Sequence, residues 1–96
     1  MKRLKVCWIS NIPSPYKTAV MNLVGTETDL IALYEKHGES DREDSWYDRS
    51  FHSFTGIYLT KRNAKRIIKD QAEQCDCLIN SDYSNPYAMY AVECFR

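Results

Sequence analysis

Residues 4–25 read LKVCWISNIPSPYKTAVMNLVG, and this stretch decides the fold. LKVCWIS (4–10) is a near-continuous apolar run with β-branched and aromatic members, the pattern of a strand covered on both faces. PYKTAVMNLVG (15–25) sets Ala19, Val20, Leu23 and Val24 at helical spacing, with Gly25 as the residue that stops the helix. The junction between them, SNIPSPYK (10–17), holds two prolines and no glycine, where nucleotide-binding α/β proteins usually carry glycines. A few residues later DLIALYE (29–35) is a second buried-type strand. Strand, helix, strand is the start of a parallel sheet.

The rhythm then breaks and resumes. KHGESDREDSWYDRSFHS (36–53) is polar, carries Glu39, Asp41, Glu43, Asp44 and Asp48, and includes Trp46, Tyr47 and Phe51. A loop of this length inside a small domain is uncommon and tends to be either functional or mobile. GIYL (56–59) is a short third strand, and TKRNAKRIIKDQAEQ (60–74) a helix with Ala64, Ile67, Ile68 and Ala72 facing inward. DCLIN (76–80) is a fourth strand, and PYAMYAVECF (86–95) a last helix with Ala88, Ala91, Val92 and Phe95 on one side. The expected fold class is therefore α/β: a Rossmann-like three-layer sandwich on a mostly parallel sheet of about four strands, order 3-2-1-4. With no strand after the last helix, residues 1–96 are expected to form a single, truncated domain, the first part of a larger one.

Composition narrows the function classes. The 96 residues are 44% hydrophobic and 27% charged, ordinary for a globular chain. Thirteen basic and 13 acidic side chains cancel, which argues against a dedicated nucleic-acid binder. The basic start MKRLK precedes an apolar run too short for a signal-peptide core, and no run approaches the ~18–20 residues of a membrane span, so a cytoplasmic location is expected. Cys7, Cys75, Cys77 and Cys94 lack zinc-knuckle spacing, and Cys75 and Cys77, two apart on a strand, are expected to pack side by side as free thiols. No metal is expected.

The proline-rich junction has its own chemistry. Ser14 reads as an N-cap and Pro15 as the first helical residue, where its missing N–H costs nothing. The N–H groups of Tyr16 and Lys17 then open outward at the positive end of the helix dipole, and Lys17 adds a full charge: an anion site without glycine. SNPYA (84–88) repeats the arrangement after the fourth strand, with Asn85 as cap and Pro86 first in the helix. In the order 3-2-1-4, strands one and four are neighbours and their helices leave to opposite faces, the switch point where open α/β sheets bind ligands. Ser10, Asn11, Ser81, Asp82, Tyr83 and Ser84 would line that crevice. Without Gly-x-Gly-x-x-Gly or a Gly-Lys-Ser/Thr loop, a dinucleotide or a nucleoside triphosphate is disfavoured, and no cofactor is expected. Side chains of this kind suit a polyhydroxyl ligand.

VCWISNIPSPYK, then DLIALYEKHGESDREDSWYD, then DCLINSDYSNPYAMYA together resemble the N-terminal half-domain of family-4-like glycosyltransferases of the GT-B fold, across almost the whole chain. The resemblance implies retaining transfer of a sugar from a nucleotide-sugar donor to a glycan or glycolipid acceptor, typically in building bacterial surface polysaccharide. It implies that this part receives the acceptor, that a C-terminal domain absent from this chain supplies most donor contacts, and that this part does not catalyse alone. Carried over, Asn11, Ser14, Tyr16 and Lys17 face the inter-domain cleft, and Asp82, Tyr83, Ser84 and Asn85 border the acceptor pocket. Asp82 is the candidate base; a turn aspartate is the alternative. The family's first loop is often glycine-rich where this one is proline-rich.

Trp46 and Tyr47 offer aromatic faces to a sugar ring or pin their loop to the body. The basic face Lys61, Arg62, Lys65, Arg66 and Lys69 is either solvated or meets anionic lipid head groups at the inner face of the membrane. Two further classes stand beside the transferase: a free-standing receiver-like or flavodoxin-like binding module, and an interaction module pairing, as a homodimer for instance, through an exposed sheet edge. A receiver needs an acidic cluster where this chain has Ser10 and Asn11.

Overall fold

The computed structural model describes residues 3–35, 51–81 and 87–95. In chain order the elements are β1 (Lys5–Ser10), α1 (Pro15–Glu27), β2 (Asp29–Tyr34), β3 (Thr55–Tyr58), α2 (Ala64–Gln74), β4 (Cys77–Asn80) and α3 (Ala88–Cys94). The four strands are all parallel, in the order β3-β2-β1-β4. β1 runs in register with β2 from Lys5 opposite Asp29 to Ser10 opposite Tyr34, and with β4 from Val6 opposite Cys77 to Ile9 opposite Asn80.

Alternation along the strands sorts the core into two layers. On one face Cys7, Ile9 and Leu33 pack with Ala64, Ile68 and Ala91 of α2 and α3; on the other Val6, Leu30, Ala32 and Tyr34 pack with Met21 of α1 and with Phe54. Helices thus cover both faces, and the three-layer sandwich with the expected strand order is what the chain forms.

Several local expectations are corrected. α1 continues past Gly25 to Glu27, and the Thr28 N–H and hydroxyl both donate to the Val24 carbonyl at its end. Its buried face is Thr18, Met21 and Gly25, while Leu23 is 71% exposed and Ala19 is also exposed. The rotation turns Gly25 toward neighbouring backbone: a side chain there would run into Ser53. Cys75 is not on the fourth strand but caps α2, and it packs on the α2/α3 face while Cys77 packs on the α1 face, so the two thiols are not neighbours on one surface. α2 begins at Ala64 rather than Thr60; residues 61–63 form a lead-in turn in which the Thr60 N–H donates to Asn63 Oδ1 and the Asn63 N–H to Thr60 Oγ1. α3 begins at Ala88, and the expected cap Asn85 and Pro86 lie outside the described residues. α2 buries Ala64 and Ile68 as its periodicity predicts; Lys65, Arg66 and Lys69 are exposed on it, and Lys61 and Arg62 are exposed in its lead-in turn.

Candidate functional site

The carboxyl ends of β1 and β4 lie side by side, and the helices that follow them sit on opposite faces of the sheet. This is the topological switch point of a doubly wound sheet. The local sequence builds it from β1 outward. Ser10 is fully buried, and its carbonyl accepts the Glu35 N–H at 3.0 Å, which ties the strand end to β2. Asn11 Oδ1 accepts the Ile12 N–H at 2.7 Å, and the Ser14 N–H donates to the Ile12 carbonyl at 3.1 Å, so the turn closes on itself. Ile12 and Pro13 are buried beneath it.

The start of α1 is as the residues predict. Ser14 is the N-cap, with extended backbone, and its hydroxyl accepts the Lys17 N–H at 3.4 Å; Pro15 supplies no donor. Among the described residues, this leaves the Tyr16 N–H as the remaining donor of the first turn. Lys17 folds back, and its ammonium donates to Ser10 Oγ at 3.3 Å. No acidic residue stands in that first turn. A cation at a helix N-terminus opposes the dipole, by about 0.3–1 kcal/mol at an exposed position. The positive potential of this corner is therefore not neutralised by its own helix.

β4 contributes from the other side. The Ser81 N–H and hydroxyl both reach the Ile9 carbonyl at 3.3 Å, and Ser81 Oγ accepts the Trp8 indole N–H at 3.1 Å. The structure thus brings Asn11, Ser14 and Lys17 together with Ser10 and Ser81. Tyr16 sits in the same turn but is 80% exposed. Trp46, Asp82, Tyr83, Ser84 and Asn85 lie outside the described residues. Sequence reasoning treated Trp8 as strand core and missed its bond across the crevice. The available signal was that an indole N–H on a covered strand needs a partner.

An open cleft of about 520 Å³ lies at the opposite, amino end of the strands, lined among others by Arg3, Lys5, Asp29, His52, Gln71 and Gln74. Arg3 is committed there: its guanidinium donates to the Gly25 and Thr28 carbonyls at 3.0 and 2.8 Å and pairs with Asp29 at 3.5 Å. Those carbonyls belong to the negative end of α1. The α1 carbonyls there favour cations over an anionic ligand.

Burial pushes the Cys7 thiol up to about 12, and burial, with Asp76 nearby, also raises that of Cys75, so both are held as neutral thiols. Among the described residues no group of three or more His, Cys, Asp or Glu side chains could hold a metal ion, and no helix is long and apolar enough to cross a membrane.

Sheet order, helices on both faces and a polar crevice at the switch point define a doubly wound, Rossmann-like α/β domain. No family model, curated protein or solved structure matches the chain.

Proposed function

We propose that this chain is the acceptor-side part of a retaining glycosyltransferase that moves a sugar from a nucleotide-sugar to a glycan or glycolipid hydroxyl. The observation that carries the proposal is the convergence of Ser10, Asn11, Ser14, Lys17 and Ser81 at the switch point, around a helix start with no acidic residue of its own. Hydroxyl and amide side chains match sugar hydroxyls, each able to donate and accept. Lys17 and the α1 dipole supply the positive charge that a diphosphate requires.

In the reaction the acceptor oxygen bonds to the anomeric carbon, the bond from that carbon to the diphosphate breaks, and the acceptor proton leaves to a base. Asp82, beyond the end of β4, is the candidate for that base, and Trp46, Tyr83, Ser84 and Asn85 for the rest of the acceptor wall. A second domain supplies the donor contacts, so this chain alone transfers nothing. The exposed cations Lys61, Arg62, Lys65, Arg66 and Lys69 of α2 and its lead-in turn are on this reading the surface that meets anionic head groups where a lipid-linked acceptor resides.

The test joins binding to gene structure. In amide-resolved NMR, methyl glycosides and nucleotide-sugars are expected to shift Ser10, Asn11, Lys17 and Ser81, and the coding frame is expected to run past Arg96 into a second α/β half. Shifts confined to the cleft around Arg3 and His52, or a stop codon at that point, would overturn the reading and leave a free-standing binding module.

A further inference from the structure

Trp8 is the one large aromatic side chain that reaches the switch point from within β1. It stands opposite Ile79 in the β1–β4 register, on the α1 face, and both side chains are half-buried. The indole runs from β1 toward the end of β4, because its N–H donates to Ser81 Oγ at 3.1 Å, and Ser81 is itself anchored to the Ile9 carbonyl. A tryptophan held at both its Cα and its ring nitrogen has little rotational freedom left. On this face the core helix is α1, whose Met21 and Val24 pack with the Val6, Leu30 and Tyr34 layer, whereas α3 packs on β4 from the other face. Cys77, Ile79 and Trp8 therefore form a half-open apolar shelf beside the polar crevice.

We propose that the Trp8 indole is the stacking platform for the pyranose ring of the bound sugar, with Asn11, Lys17 and Ser81 at its rim. This deepens the transferase reading and rests on it. A pyranose has one face of C–H groups and an equatorial ring of hydroxyls. Its C–H face needs a flat, polarisable, apolar partner and its edge needs short polar side chains. The indole supplies the first, and Asn11 and Ser81 the second. The fixed ring costs little further ordering when ligand arrives, as for other rigid aromatic anchors.

The test uses the full chain, and comparison of the parent with Trp8→Phe identifies the Trp8 share of the emission and its indole resonance. Methyl glycosides of several hexoses are titrated while Trp8 emission and its Nε1–H resonance are followed, with uridine and inorganic diphosphate as comparison ligands. A glycoside is expected to quench or blue-shift the emission and move the indole resonance at the same concentrations that shift the Asn11 and Lys17 amides. Trp8→Phe keeps a ring and is expected to retain binding within about threefold, whereas Trp8→Leu loses about tenfold. Should Trp8→Leu fail to fold by circular dichroism, the indole signals of the parent decide alone. Amide shifts without any indole response would overturn the platform and leave the transferase reading intact. An indole response to uridine and not to glycosides would overturn it in favour of a base-stacking role.

Discussion

Gly25→Ala should destabilise this protein although it improves its helix. Gly25 lies within α1, and no glycine among the described residues has a positive φ, so alanine meets no backbone strain there. In an isolated helix the change would gain about 1 kcal/mol. Here the new Cβ would meet the Ser53 carbonyl, with its carbon at 2.8 Å, and the Ser53 Cβ at 3.0 Å. Carbonyl atoms cannot rotate away, so the 52–53 backbone must retreat. That backbone is held by Asn22, whose Oδ1 accepts the His52 and Ser53 N–H groups at 2.8 and 3.1 Å, and moving it forfeits two bonds worth about 1 kcal/mol each. Overpacking beside the buried Phe54 adds about 1–3 kcal/mol. The net loss is about 2–4 kcal/mol, which at an m-value of about 1–1.5 kcal/mol/M lowers the urea midpoint by more than about 1 M. Urea unfolding followed by far-ultraviolet circular dichroism reads this directly. A midpoint equal to or above that of the parent would mean that the segment around Ser53 does not seat on α1, and the account of which face α1 buries would fall with it.

Three further outcomes follow from the same packing and electrostatics. Met21→Ala, which empties a fully buried site and removes the acceptor of the Tyr34 hydroxyl at 3.2 Å, should cost about 2–5 kcal/mol, whereas Leu23→Ser, two residues on and 71% exposed, should stay within about 0.5 kcal/mol; equal losses in urea unfolding would put the helix on the wrong face. Lys17→Met loses its bond to Ser10 but relieves a cation at the helix start, so stability should change by less than about 1 kcal/mol while ligand-induced amide shifts at Asn11 and Ser81 disappear; a large loss of stability would make Lys17 a structural residue. Cys7 has a folded pKa of about 12 against an ordinary 9.0, so above pH 9 the unfolded chain gives up this proton first and the Cys7 contribution to stability falls as pH rises from about 9 toward 12; a flat profile for the parent against Cys7→Ala over that range would refute it.

What could be read from the sequence divides along the range of the interactions involved. The four strands are legible because each is a short run that must satisfy burial on both faces, and the order follows from two β-α-β units and the handedness of their crossovers. The α1 start is legible for the same local reason: Ser14, Pro15 and Lys17 act within one turn. The inner face of α2 is legible because Lys65, Arg66 and Lys69 mark its outer side. The inner face of α1 is not, because TAVMNLVG has apolar residues around most of the helix, and the choice falls to a fit against Ser53, nearly thirty positions away. Cys75 was placed on a strand that begins two residues later, where the Cys75 N–H still closes the last turn of α2 on the Gln71 carbonyl. The Trp8–Ser81 bond spans 73 positions, and nothing near either residue announces it.

The two ends of the sheet differ in polarity. In a parallel sheet with crossover helices every helix start lies at the carboxyl end of the strands and every helix end at the amino end. Here the amino end has an open cleft, but its carbonyls at Gly25 and Thr28 already draw in the Arg3 guanidinium, and Asp29 takes up more of that charge. An anion entering there would compete with carbonyl oxygens for the arginine. At the carboxyl end the balance is reversed. Lys17 stands in the first turn of α1, its ammonium donating to the Ser10 hydroxyl, and on the proposed reading it and the helix start favour a negatively charged ligand. On the proposed reading, a ligand carrying both a negative charge and a sugar ring would meet that helix start on one side and Asn11, Ser81 and Trp8 on the other.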